Sequence, residues 1–128
     1  MKEKANEREA SASKLAGLLG IARRAGKLIT GFDAAAASAA AGKAALLLMA
    51  ADLSEKTAKE LRYAARDRKL SAAREKKIPL ARMPLNKEET GAACGFQKPV
   101  GVLATEDRGF ATAMGRHCLH DLEEDTAI

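Results

Sequence analysis

An alanine-rich stretch in the first half of the chain, TGFDAAAASAAAGKAALLLMAAD at residues 30–52, limits the possible folds most strongly. A helix that spans a bilayer needs about 20 mostly apolar residues. Gly42 and Lys43 interrupt the stretch in its middle, and Asp33 and Ser38 interrupt its first part. Alanine also favours helix formation more than any other residue. The stretch is therefore expected to be two elements of a globular domain rather than a membrane segment.

Local signals divide the stretch into a helix and a strand. Asp33 is expected to be the N-cap of a short helix over residues 34–41, which Gly42 ends. The apolar run at residues 44–51 predicts a strand buried on both faces of a mainly parallel sheet. A helix stays an alternative for this run because it contains no β-branched residue. In the first interpretation, the small alanine side chains let the preceding helix lie very close to the sheet.

The rest of the chain continues the alternation of helices and strands. A first helix is expected from the apolar positions that share one helical face: Leu15, Leu18, Leu19 and Ala22. Later helices are expected to begin at the capping residues Ser54, Asn86 and Asp107, with Glu89 completing a capping box at the second. The short strand patterns are LIT, IPLARM and VGVLA. This alternation predicts an α/β fold, a three-layer α/β/α sandwich in one domain over residues 14–120.

Charge and cysteine content indicate the kind of partner. The formal net charge of +5 favours an anionic partner, with nucleic acid ahead of a membrane surface. Residues 1–13 alternate in charge without an apolar core, so we expect a disordered charged tail and no signal peptide or membrane anchor. Residues 121–128 are expected to be an acidic tail. Two cysteines without a recognisable spacing fit a reducing compartment, which predicts a cytoplasmic protein.

Motifs for catalysis or for cofactor binding are not found in the sequence. No glycine-rich phosphate-binding motif follows a strand, and no convergent catalytic set is visible. Cys94 lacks a recognisable base, and the group of His117, Cys118, His120 and Asp121 lacks a second ligand pair at the spacing of a metal site. We therefore expect no enzymatic activity, no cofactor, no metal and no small-molecule substrate.

Three blocks within residues 14–117 carry a family resemblance: LLGIARRAGKLITGFDA, AALLLMAADLS and TGAACGFQKPVGVLATEDRGFATAM. In this order and spacing they resemble the ribosomal protein L7Ae/L30e family, and most closely its short bacterial members. The resemblance implies an α/β/α sandwich around a four-stranded mixed sheet. It also implies a ribosomal-protein-like function in binding structured RNA, especially the kink-turn, a sharply bent internal loop with sheared G·A pairs.

The resemblance also implies where RNA would bind. Family members contact RNA with the turn and first residues of the helix that begins here at Gly31, and with a loop that corresponds to residues 96–100. A glycine lets the backbone approach closely, and a helix N-terminus offers unpaired N–H groups. The RNA-binding residues expected from this match and from nearby basic positions are Arg23, Arg24, Lys27, Gly31, Phe32, Asp33, Gln97, Lys98, Pro99 and Val100.

The chain departs from the family pattern at the positions that read bases. The pattern has asparagine and glutamate after the glycine and a lysine three positions later, whereas this chain has Asp33, Ala34 and Ala37. Asp33 is either a helix cap or an RNA contact. The run RYAARDRKLSAAREKK at residues 62–77 has seven basic and two acidic residues, and is either a solvated helix face or a phosphate-binding arm.

Three classes of function stay open at this point. The first is a non-catalytic RNA-binding protein. The second is a family fold that has lost RNA binding and acts as a protein-interaction module, which the alanines at the base-reading positions favour. The third is a small enzyme, for which the sequence offers no catalytic set.

Overall fold

The computed structural model describes residues 2–65 and 78–120. Helices and strands alternate along these residues in the order α1 (Lys2–Arg24), β1 (Ile29–Thr30), α2 (Phe32–Ala40), β2 (Leu46–Met49), α3 (Glu55–Ala65), β3 (Leu80–Arg82), α4 (Lys87–Ala93), β4 (Val102–Thr105), α5 (Arg108–Gly115) and β5 (Leu119–His120). Most of the basic run at residues 62–77 and the acidic tail at residues 121–128 lie outside the described residues, and so do the predictions made for them.

The strands form one mixed sheet in the order β1-β4-β2-β3-β5. The first four are the four-stranded mixed sheet that the resemblance implied, and the two-residue β5 extends it beside β3. Strands β2 and β3 are parallel, and the other neighbouring pairs are antiparallel. The expectation of a mainly parallel sheet was therefore wrong, because β4 reaches β2 from the opposite direction. Helices α2 and α3 cover one face and α1, α4 and α5 the other, which confirms the sandwich.

Strand β2 is buried on both faces, as its uninterrupted apolar sequence predicted. Leu46 and Leu48 pack towards Leu15 and Leu19 of α1, and Leu47 and Met49 face the layer of α2 and α3. The strand covers residues 46–49 and is shorter than the predicted 44–51, since Ala51 is already exposed in a turn. The segment is not a helix.

The alanines of the central stretch form a thin contact layer. Ala35 and Ala39 of α2 are buried against the sheet and against Ala58 and Ala65 of α3. Methyl groups allow two helices and a sheet to approach closely without leaving voids, and interiors are packed at the density of organic crystals. The alanine content therefore serves helix packing.

Helix α2 begins earlier than expected, which corrects the role given to Asp33. Its N-cap is Gly31, and no side chain makes a capping hydrogen bond there. Asp33 lies in the first turn and is exposed. Asp33 is the first good capping side chain in this part of the sequence, but the helix begins at Gly31 because of the backbone conformation of that glycine.

Helix α1 corrects the prediction for the N-terminal residues. It begins at Lys2, so residues 2–13 are helical rather than a disordered tail. The segment is rich in Lys, Glu, Ala and Arg, which favour helix formation, and it continues a helix that Leu15 and Leu19 anchor in the core. In the described part of the chain, no helix combines the length and the apolar character that crossing a bilayer requires.

The other helix starts are as predicted. The Ser54 hydroxyl accepts from the Thr57 N–H at 3.2 Å, and the Asp107 carboxylate accepts from the Phe110 N–H at 2.9 Å. Asn86 and Glu89 form the expected capping box. Helix α5 ends at Gly115, and His117 and Cys118 follow it in a tight turn.

Candidate nucleic-acid interface

One end of the sheet brings together the start of α2 and the loop before β4. Strands β1, β2 and β3 finish at this end, and β4 and β5 begin there. Gly31 donates its N–H to the carbonyl of Val102 at 2.8 Å, which places the turn after β1 directly beside the first residue of β4. We call this end of the sheet the Gly31 edge. Phe32, Asp33 and Val100 lie at it as well.

The N-terminus of α2 is open at this edge. Gly31 has φ 98° and ψ 152°, a backbone conformation that is essentially restricted to glycine. A Cβ at this position would have no neighbour within 4 Å, so the space in front of the turn is empty. The first N–H groups of a helix have no partner inside it, and no side chain caps them here. The edge can therefore donate backbone hydrogen bonds to an anionic or carbonyl acceptor.

The loop at residues 96–100 is fixed along α4. Helix α4 leads away from the Gly31 edge, and the loop returns beside it: Phe96 N–H donates to Gly91 at 2.9 Å and Val100 N–H to Lys87 at 3.0 Å. A Cβ on Gly91 would fall on the carbonyl oxygen of Lys98, so only glycine allows this close approach. The backbone of the loop is thereby held while Gln97, Lys98 and Pro99 stay exposed in solvent. Val100 is buried and anchors the loop.

Three of the expected basic contacts lie at the opposite end of the sheet. The Lys27 carbonyl accepts from the Thr105 hydroxyl at 2.7 Å, at the last residue of β4. This is three residues along β4 from the Gly31 contact, or about 10 Å. Arg24 is exposed at the end of α1. Arg23 lies over the Phe96 ring at 4.4 Å and so contacts the base of the loop, though not the Gly31 edge.

The structure thus divides the expected site residues into three groups. Gly31, Phe32, Asp33 and Val100 belong to the Gly31 edge, whereas Pro99 lies beside Gly91 of α4. Gln97 and Lys98 lie along α4, and the arginines and Lys27 lie at the far end. The packing role of Gly91 was not predicted, although a glycine inside a helical pattern costs about 1 kcal/mol relative to alanine and usually has a packing reason.

The structure does not bring Cys94 and His117 together in one cleft. Cys94 is buried in the core, and burial raises the pKa of its thiol while the nearby Arg23 opposes that shift. His117 instead lines clefts between α1 and the end of α5, neither of which Cys94 lines. Within residues 2–65 and 78–120, no group of three or more His, Cys, Asp or Glu side chains is arranged to hold a metal ion.

Comparisons with known proteins show the family and the fold of the chain. The model of the ribosomal protein L7Ae/L30e/S12e/Gadd45 family matches residues 13–115. A protein of unknown function from Bacillus halodurans C is similar in structure, with a TM-score of 0.67 and 26% identity over 81% of this chain and 95% of that one. A Giardia lamblia 15.5kD RNA binding protein shares the fold, with a TM-score of 0.59 and 23% identity over 84% of this chain and 87% of that one. No curated protein sequence matches the chain significantly.

Proposed function

The chain belongs to the ribosomal protein L7Ae/L30e/S12e/Gadd45 family, and on that premise we propose that it is a non-catalytic protein that binds structured RNA through the Gly31 edge. The turn at Gly31 and the first residues of α2 donate to the RNA from one side. The exposed loop side chains Gln97, Lys98 and Pro99 cover it from the other.

One observation carries this proposal. The hydrogen bond from Gly31 to Val102 holds an uncapped helix N-terminus beside the approach of a rigid, exposed loop. Helix N-termini bind phosphates and other anions because their N–H groups and partial positive charge point outwards. The net charge of +5 favours the same partner, and the Giardia lamblia protein of the same fold is an RNA binding protein.

The structure of α2 supports a weak preference for kink-turns. Ala34 and Ala37 occupy the positions at which the family pattern has base-reading side chains, and both are exposed. Methyl groups cannot hydrogen-bond to a base edge, and a good bidentate contact is worth roughly 1–3 kcal/mol of discrimination in the DNA case. We therefore expect wild-type protein to bind a kink-turn hairpin only modestly better than a plain duplex of equal length.

Restoring the polar residues tests this proposal. The triple variant Asp33→Asn, Ala34→Glu, Ala37→Lys is expected to sharpen the kink-turn preference roughly tenfold or more, if one contact of about 1.4 kcal/mol is regained. All three positions are exposed, so folding is expected to survive. The measurement is a fluorescence anisotropy titration of both proteins with both RNAs at one salt concentration.

A control variant separates base reading from added charge. The triple change adds one net positive charge, and Thr112→Lys adds the same charge at an exposed position of α5 on the opposite face of the sheet. The control is expected to leave the preference unchanged. If neither wild-type nor triple variant binds RNA while both are folded, the proposal fails, and the protein-interaction module becomes the better explanation for a surface with exposed alanines.

A further inference from the structure

A second basic feature lies at the same end of the sheet, beyond the loops of the Gly31 edge. Building on the proposed function, we infer that the bound RNA continues across this end to a cleft between α1 and the end of α5. There Arg8, Arg82, Arg116 and His117 bind its phosphates. We call this cleft the arginine cleft.

The arginine cleft is a concave site with basic walls. Its volume is about 560 Å³, and its lining is Arg8, Ser11, Ala51, Arg82, Met83, Pro84, Arg116, His117, Cys118 and Leu119. Within residues 2–65 and 78–120, no carboxylate lines this cleft. Arginine presents a planar fork of donors that matches phosphate in two parallel hydrogen bonds, so several guanidinium groups around one cleft form a phosphate-binding surface.

Arg82 is already held in position. Its guanidinium donates to the carbonyl oxygens of Ala50 at 3.2 Å and Ala51 at 3.3 Å, at the end of β2. These bonds use one of its terminal nitrogens, while a guanidinium carries five N–H donors. The group therefore loses little freedom on binding a phosphate, which favours affinity. Arg8 and Arg116 line the same cleft and are exposed.

The position of the arginine cleft makes it continuous with the Gly31 edge. Strand β5 begins at Leu119, and β3 finishes at Arg82, on the same end of the sheet as Gly31. Four inter-strand spacings of about 4.8 Å separate β1 from β5, a distance of roughly 19 Å. At the rise of about 3.4 Å per nucleotide of a B-DNA strand, taken as a guide for RNA, a strand covers this distance in five to six steps.

The shape of the cleft favours a nucleic acid over a membrane surface. Arg8 and Arg116 flank a recess between two helices, and a phosphodiester strand can enter such a recess. The surface potential of a bilayer falls off within a Debye length, so it acts most on cations that can come up to the membrane surface. Leu119 is 76% exposed at the mouth of the cleft and offers an apolar contact to a base.

Neutralising the two exposed arginines tests the inference. The double variant Arg8→Gln/Arg116→Gln is expected to reduce the slope of log K against log salt concentration by about 1.4 to 1.8, for two phosphate contacts. The ratio of the wild-type to the variant association constant for the kink-turn hairpin is then roughly ninefold larger at 50 mM than at 200 mM salt. Both side chains are exposed, and thermal melts of the two proteins should agree.

A matched control removes the same charge elsewhere. Lys43→Gln/Lys59→Gln changes exposed lysines after α2 and on α3, across the sheet from the cleft, and is expected to keep the wild-type slope. If wild type binds the hairpin and the arginine variant keeps its slope, the inference is wrong and the proposed function stands. The inference is also wrong if that variant loses binding to phosphatidylserine vesicles while its RNA slope is unchanged. If wild type binds no RNA, both fail.

Discussion

Gly31 has two roles, one in the backbone turn and one at the protein surface. Its φ of 98° turns the chain from β1 into α2, and its missing side chain leaves the helix N-terminus uncovered. Because a Cβ there has open space around it, any cost of substitution comes from the backbone conformation and not from a clash.

We expect Gly31→Ala to destabilise the fold by about 1–3 kcal/mol, the range for a residue forced into a sparsely populated backbone region. RNA affinity is expected to fall as well, because the strained turn moves the first N–H groups of α2. Urea denaturation gives the stability, and an anisotropy titration gives the affinity.

The comparison for Gly31 is Gly17→Ala. Gly17 lies within α1, has no neighbour within 4 Å of an added Cβ and has no positive φ. Alanine is favoured over glycine in a helix, so this variant is expected to be more stable by up to about 1 kcal/mol. An equal loss of stability in both variants would show that the backbone conformation of Gly31 adds no cost to the substitution.

Among the elements, α4 and its returning loop act as one unit. The capping box of Asn86 and Glu89 fixes the start of the helix, with N–H to oxygen distances of 2.8 and 2.9 Å. Gly91 lets the loop lie against the middle of the helix, and Phe96 and Val100 tie both ends of the loop to it. The exposed side chains of the loop are therefore presented from a rigid support.

Gly91→Ala tests this support. The added methyl group would occupy the place of the Lys98 carbonyl oxygen, and overpacking of this kind costs about 1–3 kcal/mol or more. We expect the loop to move off α4, with faster hydrogen exchange of the Phe96 and Val100 amides and weaker RNA binding.

Gly20→Ala serves as the comparison. It adds a methyl group at ordinary contact distance, 3.4 Å from the Ala93 carbonyl, on the helix that packs against α4. Hydrogen exchange of the Phe96 and Val100 amides in this variant should then match that of the wild type. Unchanged protection in the Gly91 variant would mean that the loop does not depend on this close approach.

The elements also show how far sequence could predict this molecule. β2 and the helix starts at Ser54, Asn86 and Asp107 were predictable because their signals are local: a bounded apolar run and capping side chains. The start of α2 was not, since it depends on a glycine conformation that the tertiary structure selects. The N-terminal half of α1 was also missed, because a charged segment without an apolar face resembles a tail in composition.

The candidate site, too, could be predicted from the sequence only in part. Gly31 and the loop at residues 96–100 could be expected from the family resemblance, and the structure places Gly31 beside Val102, two residues after this loop. Arg23 and Lys27 precede Gly31 by only a few residues, yet β1 carries the chain across the sheet and leaves them at its other end. The arginine cleft joins residues from four separate parts of the chain, which no local pattern connects.

At the scale of the whole molecule, its two cysteine thiols predict a loss of stability in alkali. Burial raises the pKa of Cys118 to about 12 from an ordinary value of 9.0, and that of Cys94 also rises. Above about pH 9 the unfolded chain loses these protons while the folded chain keeps them, so the free energy of unfolding falls as the pH rises towards 12.

Cys118→Ala is expected to remove part of this loss. The measurement compares the fall in melting temperature between about pH 8 and about pH 10.5 in wild type and variant. All other side chains are the same in both proteins, so their contribution cancels in the comparison. An equal fall in both would show that the Cys118 thiol does not contribute to alkaline unfolding.

The two short strands at the borders of the sheet have a consequence for self-association. β1 and β5 have two residues each, so each border of the described sheet presents few backbone groups to another chain. Long, flat border strands are templates for aggregation, and natural proteins often shorten them. An RNA that binds several copies raises their local concentration. Copies with such short edge strands can lie close together without forming a continuous sheet between them.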